Sequence, residues 1–313
     1  MPSLTPRGLI KLVRPRQWTK NLVCFAGVFF GHRVFEDHYA LRACIAAAAF
    51  CAASGAVYIF NDIMDRDRDR KHASKKFRPI AAGEVSVPQA IVLAALFLAA
   101  AIGLGAMLGL TVLGILAGYV LLNISYSAGL KNLSLVDATV VAIGFILRIY
   151  AGTVAAAVAP SAWLLLCAFF LALFLAFGKR RAEVNAFTGQ LTASRTIVEE
   201  PDAPAADISA TRGVLHKYNV AILDRFCNIC ATLTIATYAL FTVLGHPGDR
   251  TLIITTPPVV LGIFRYLLLI ERYHEGEAPD AILFKDWAIQ MAILLWFILF
   301  VAATYLGLHI DVI

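Results

Sequence analysis

Apolar runs longer than any soluble helix requires recur along this chain, and they decide its fold class. They cover roughly residues 40–60, 88–128, 134–178, 217–245, 251–271 and 286–307. A bilayer's hydrocarbon core takes about 20 residues of helix to cross, so a run of 18 or more reads as a span. The 88–128 run holds two spans, broken at the glycines of GLGAMLGL, and the 134–178 run holds two more, broken at Pro160. A weaker run at about 19–35 follows a basic N-terminus. The count predicts an all-α integral membrane protein with nine transmembrane helices in a single polytopic domain, 1–313. Composition excludes a soluble alternative, because only 15% of residues are charged, against about 25% in globular domains.

No small-residue cleavage site follows the first apolar stretch, so no removable leader is expected. Most of the six cysteines lie in apolar segments, and the lone CxxC at Cys227 and Cys230 reads as packing. Lys and Arg gather at the N-terminus and in alternate loops, leaving Arg33, Arg42 and Arg250 on the other face. By the positive-inside rule the N-terminus and the basic loops are expected on the cytoplasmic side. One-sided positive charge fits anionic head groups or phosphorylated substrates, and nucleic acid is not expected as a partner.

The charges concentrate at the end of one apolar run, in NDIMDRDRDRKHASKKFRPI, residues 61–80. On a helix, Asp62, Asp65 and Asp69 fall on one stripe about 60° wide. Asn61 and His72 flank it, while Asp67 points away. Clustered carboxylates repel, so the stripe needs cations. Mg²⁺ suits these oxygen donors, with Asn61, Asp62, Asp65 and Asp69 as candidate ligands, and it commonly bridges carboxylates to substrate phosphates. Arg70, Lys71, Lys75, Lys76 and Arg78 follow and can meet phosphate oxygens directly. The competing reading is a solvated loop of alternating charge.

The pattern Asn61-Asp62-x-x-Asp65-x-x-x-Asp69-Arg70, then Arg78-Pro79, resembles the first signature of the UbiA-type superfamily of intramembrane prenyltransferases. The likeness extends to RPRQWTKN at 14–21 and to YSAGLKNLSLVD, which carries Tyr126, Lys131 and Asp137. It implies a nine-helix bundle with a cytoplasm-facing polar cavity that binds diphosphate through Mg²⁺. Asp62, Asp65 and Asp69 would then be the catalytic acids. Arg14, Gln17, Trp18, Lys20 and Asn21 read equally as cavity entrance or interfacial anchor.

Prenyl-transferring members carry a second DxxxD cluster after the sixth helix, and here the chain departs. It reads GKRRAEV, with Lys179, Arg180 and Arg181 in place of acids and Glu183 nearby. Residues 179–216 are expected to form a cytoplasmic loop, with Glu199, Glu200, Asp202 and Asp207 in a polar, proline-containing part. GKRRAE, YNVAILDRF at 218–226 and FRYLLLIERYHEGEAPDAILFKD at 264–286 resemble the decaprenyl-phosphate phosphoribosyltransferase branch. That branch moves phosphoribose from 5-phosphoribosyl 1-diphosphate to a polyprenyl phosphate, for arabinan-type wall precursors.

The likeness makes Lys75, Arg78, Lys131, Lys179 and Arg180 candidate phosphate binders. Lys20, Arg70, His72, Tyr126, Asp137, Glu183 and Tyr218 join the expected substrate-binding set. Arg148 lies three helical turns beyond Asp137, on the same face, and reads as cavity-lining or as a structural ion pair. Tyr218 and Arg225, seven residues apart, are expected to share a helix face. An aromatic or quinone-precursor prenyltransferase is the alternative enzyme, and a transporter or scaffold the alternative of another class. A homo-oligomer is left open.

Overall fold

The computed structural model describes residues 6–71, 75–197, 218–245, 250–272, 282 and 285–306. Among them the regular elements are all helices. In hydrocarbon every backbone N–H and C=O needs an internal partner, and a helix supplies it locally. Eight segments are long and apolar enough to cross a membrane: Asp37–Met64, Val87–Leu108, Leu110–Ala128, Val136–Ala155, Ala162–Asn185, Val220–Leu244, Thr251–Glu271 and Trp287–Tyr305. The protein is a multi-pass membrane protein.

We number the α-helices α1 (Pro6–Val13), α2 (Ala26–Phe30), α3 (Asp37–Met64), α4 (Arg66–Lys71), α5 (Val87–Leu108), α6 (Leu110–Ala128), α7 (Val136–Ala155), α8 (Ala162–Ile197), α9 (Val220–Leu244), α10 (Thr256–Arg272) and α11 (Trp287–Tyr305). The expected span at 19–35 is not a helix of membrane length. It is a 3₁₀ run, Pro15–Phe25, followed by the short α2. Its first turns carry Gln17, Thr19, Lys20 and Asn21, which leave too few apolar residues for a crossing. The count of nine therefore stands at eight membrane-length spans among the described residues. The expected loop from 179 begins instead as helix, because α8 continues to Ile197.

The chain divides into two compact units, Met1–Pro160 and Ser161–Ile313. In the first, α3 is lined with Ala46, Ala49, Ala53 and Gly55, small residues that allow close approach of neighbouring helices. Phe97 of α5 covers Gly55, where an added Cβ would meet its ring at 2.7 Å. Phe50 packs edge-on against Tyr119 of α6, with ring centroids 5.3 Å apart. The sequence break in GLGAMLGL falls at Gly109, whose φ of 108° and ψ of 169° suit a residue without Cβ. Arg42 donates to the Ala155 carbonyl at 2.7 Å and to that of Leu108 at 3.3 Å, so one guanidinium serves the C-terminal ends of α7 and α5.

The Pro15–Phe30 segment lies directly on the backbone of α7. A Cβ on Gly152 would sit 1.8 Å from the Cys24 carbonyl oxygen, and one on Gly27 would sit 2.6 Å from Thr153 Cα. This contact anchors the strand of chain that carries Arg14 and Lys20.

In the second unit α8, α9, α10 and α11 pack through apolar faces joined by a few polar contacts. Trp296 Nε1 donates to the Tyr238 hydroxyl at 2.6 Å, and that hydroxyl is 2.6 Å from Thr255 Oγ1. Cys227 and Cys230 are buried free thiols on α9, as packing requires. Asp286 caps α11 by accepting from the Ile289 N–H at 2.9 Å, and Arg265 grips the same carboxylate with Nη2 at 2.8 Å.

The glycine contact predicts that Gly152→Ala destabilises the protein by about 1–3 kcal/mol, the usual cost of overpacking. Gly114→Ala, with open space around it, should be neutral or stabilising; thermal unfolding of both in detergent tests the pair. A second expectation concerns Asp286, whose carboxyl the Arg265 hydrogen bonds hold below the ordinary carboxylate range. Its contribution is complete above about pH 4 and is lost as pH falls through the depressed value. The stability gap between wild type and Asp286→Asn should therefore be flat above that pH and close below it.

Candidate active site

The Asp stripe survives folding although α3 formally ends at Met64. Asp65 has φ −93° and ψ 3°, yet its N–H reaches the Asn61 carbonyl at 2.9 Å. The Asp69 N–H reaches the Asp65 carbonyl at 2.8 Å, so helical spacing carries across the joint into α4. Asp62 and Asp69 are buried, at 2% and 3% exposure, whereas the Asp67 side chain is 77% exposed and meets Arg66 and Arg70 in solvent.

Three bases from other parts of the chain converge on this stripe. Arg78 Nη1 lies 3.2 Å from Asp62 Oδ1 and 2.7 Å from Asp69 Oδ2, bridging two carboxylates with one nitrogen. Arg14, just before the 3₁₀ run, pairs with the same Asp62 oxygen, and its guanidinium stands 5.3 Å from the Tyr58 ring centroid. Lys131, buried in the turn after α6, holds both oxygens of Asp65 at 2.8 and 3.1 Å. Removing one partner from a buried pair typically costs 3–5 kcal/mol, so these bases are what permits the acids to be buried. Asn61 accepts a hydrogen bond from Ser127, a residue of YSAGLKNLSLVD that no spacing in the sequence marks for a role.

Other candidates lie at varied distances from this cluster's chemistry. Arg70 donates to the Ala81 carbonyl at 3.2 Å and is half exposed. Lys20, Lys75 and Tyr126 are half-buried, and Asp137 is fully buried in the first turn of α7. His72 lies outside the described residues, as do Glu199, Glu200, Asp202 and Asp207. Arg148 is buried with no carboxylate partner among the described residues. Its guanidinium donates to Asn21 Oδ1 at 2.7 Å, the Gly144 carbonyl at 2.8 Å and the Tyr119 hydroxyl at 2.8 Å. The Tyr119 ring centroid is 4.5 Å away, a cation–π contact. Neutral acceptors thus stand where the alternative reading put an ion pair, and they tie α7 to the Pro15–Phe25 run.

In the second unit Lys179 is exposed, Arg180 pairs with Glu183 one turn away, and Arg181 is buried. Arg181 joins Asp224 of α9 and donates to the Ile270 carbonyl of α10. Neither Arg181 nor Asp224 was singled out for a role from the sequence, although both lie in quoted stretches. Tyr218 precedes α9, whose N-cap is Asn219, so it does not share a helix face with Arg225; Tyr218 is buried and Arg225 exposed.

The donor chemistry at the end of α3 suits a hard divalent cation. Two carboxylates already converge on one positive point, the Arg78 nitrogen, with Asn61 and Asp65 on the same stretch. Among the described residues no three acidic, imidazole or thiol side chains converge as a finished metal site. The acids are paired with bases instead.

For Arg181 the geometry predicts a structural role. Arg181→Met should destabilise the protein by about 1–3 kcal/mol, since the Ile270 carbonyl and the half-buried Asp224 both lose their donor, and adding Asp224→Leu should recover part of that loss in thermal unfolding.

Residues 21–289 match the UbiA prenyltransferase family. A decaprenyl-phosphate phosphoribosyltransferase of Corynebacterium glutamicum is 33% identical, the match spanning 97% of this chain and 89% of that protein. One of Mycolicibacterium smegmatis is also 33% identical, over 97% and 94%. Among solved structures, a UbiA homolog from Archaeoglobus fulgidus bound to GPP and Mg²⁺ superposes with a TM-score of 0.70 at 18% identity, covering 95% of this chain and 99% of that one. With its helical fold, its acidic stripe and these full-length relatives, the chain is a membrane enzyme belonging to the UbiA prenyltransferase family.

Proposed function

We propose that this enzyme transfers the 5-phosphoribosyl group of 5-phosphoribosyl 1-diphosphate to a polyprenyl phosphate of decaprenyl type and releases diphosphate. The observation that carries the reading is the nearly full-length likeness to two phosphoribosyltransferases of that name. The basic character of GKRR, where a prenyl-transferring member would place acids, points the same way.

The chemistry suits a site with buried acids and many bases. A lipid phosphate has a second pKa near 6 and is dianionic at neutral pH, so it attacks without a general base. Its oxygen bonds to the ribose anomeric carbon as the bond from that carbon to the diphosphate oxygen breaks. The leaving diphosphate takes the electron pair, and the transition state has oxocarbenium character, as in other glycosyl transfers. Asp62, Asp69, Asp65 and Asn61 would hold Mg²⁺, which when bound neutralises charge on the diphosphate. Arg14, Arg78 and Lys131 supply donors for phosphate oxygens, preorganised beside the acids. Lys20, Arg70, His72, Lys75, Tyr126, Asp137 and Arg148 complete the proposed substrate-binding set on the first unit. For the second unit, taken by itself, Lys179, Arg180, Glu183 and Tyr218 are proposed as substrate-binding residues, with Lys179 and Arg180 on a substrate phosphate. The acidic stripe and the basic loops are assigned to the cytoplasmic face of a bacterial inner membrane. The product serves arabinan-type wall synthesis.

The test is purified protein given labelled 5-phosphoribosyl 1-diphosphate and a polyprenyl phosphate, with and without Mg²⁺. Labelled lipid should form only with metal, and Asp65→Ala should abolish it in folded protein. Arg180→Gln, at a buried position, should lower kcat/KM roughly thirtyfold or more, from the 2–5 kcal/mol typical of a lost partner to a buried charge, and Lys179→Gln, at an exposed one, should lower it by less. Prenylation of an aromatic acceptor from a polyprenyl diphosphate, with no pentosyl transfer, would overturn the assignment.

A further inference from the structure

We propose that Arg78 is a built-in stand-in for the divalent cation: its guanidinium fills the cation's place between Asp62 and Asp69 until a diphosphate draws it away. The inference rests on the metal-and-diphosphate reading above. It starts from one nitrogen, Nη1, within 3.2 Å of Asp62 Oδ1 and 2.7 Å of Asp69 Oδ2. Mg²⁺ binds oxygen at about 2.0–2.1 Å. A metal shared by these two oxygens and the nitrogen that now bridges them cannot occupy the same point.

Burial makes the exchange conditional. The Asp62 and Asp69 side chains are 2% and 4% exposed, so two carboxylates without a counter-charge there would be costly. Arg14 neutralises only Asp62, and the nearby Asp65 is committed to Lys131 and, at 3.7 Å, to Arg68. Asp69 has Arg78 as its one ion-pair partner among the described residues. The Arg78 side chain is itself 29% exposed, so it has a wet side toward which to move. A metal arriving alone would have to displace a charge-assisted bond and leave the guanidinium with nothing in return. A metal arriving with diphosphate brings the anion that guanidinium binds best, in a bidentate fashion. Metal and diphosphate therefore bind with positive coupling, which linkage makes reciprocal. Once diphosphate departs, Arg78 returns to the carboxylates and helps expel the metal.

The experiment uses the full-length protein in detergent and Mn²⁺ as the probe, with free Mn²⁺ read from its aqueous EPR signal. Arg78→Gln should bind Mn²⁺ alone about tenfold more tightly than wild type, or 1.4 kcal/mol, although the same variant loses turnover. Its thermal midpoint should fall without metal and recover on adding Mn²⁺ more than the wild-type midpoint rises. Arg78→Lys, which keeps the charge, should stay near wild type. Equal or weaker metal binding by Arg78→Gln would overturn the proposal and leave Arg78 a phosphate ligand or a structural pair. If Arg78→Gln does not fold, Arg14→Gln removes the other cation on Asp62 and should shift metal affinity the same way; no tightening there overturns the proposal. Absence of Mn²⁺ uptake by every variant, even with inorganic diphosphate present, would instead bring down the metal reading on which it rests.

Discussion

Burying carboxylates at the end of a membrane helix is the constraint around which the first unit is organised. Asp62 and Asp69 gain almost no help from water, so their charge has to be met by the chain itself. The partners come from far apart in sequence: Arg14 ahead of the first 3₁₀ run, Arg78 beyond α4, and Lys131 after α6. Each pairing brings a connecting segment back to the same place. The acidic stripe thus acts as a fold determinant as well as a ligand-binding surface, and a substitution there has to be judged on stability before activity.

Membrane arginines in this protein are satisfied in two different ways. Arg78 and Arg14 meet acids, and such pairs are open to exchange with another anion. Arg42 and Arg148 meet carbonyls, an amide and a phenol, none of which carries charge. Those contacts tie helices and the N-terminal segment together. They also explain how an arginine persists deep in an apolar helix without an acid beside it, since neutral oxygens and aromatic faces share its charge.

Much of this was legible in the sequence, for identifiable physical reasons. The spans follow from length and hydropathy, and the break at Gly109 follows from a residue that tolerates its backbone angles. The stripe of Asp62, Asp65 and Asp69 follows from helical period alone, because the hydrogen-bond ladder continues past Met64. The run at about 19–35 forms no span because its hydropathy is marginal, and the placement of Pro15–Phe30 depends on two glycines meeting two backbones. No local pattern announces such a contact. Arg181 with Asp224, and Asn61 with Ser127, are tertiary pairings of ordinary residues. Their partners lie 43 and 66 positions away, beyond any short-range rule. Tyr218 went astray by one boundary: Asn219 caps α9, and a helical argument fails for a residue outside the helix.

The close seating of the Pro15–Phe30 segment on Gly152 and Thr153 has a consequence for biosynthesis. The surface that receives this early segment belongs to a helix translated more than a hundred residues later. During elongation, therefore, the segment emerges first and has no completed berth. Asn21 likewise lacks Arg148 until α7 has been made. Docking of the N-terminal segment is a late event of assembly, scheduled by the ribosome's progress through residue 153.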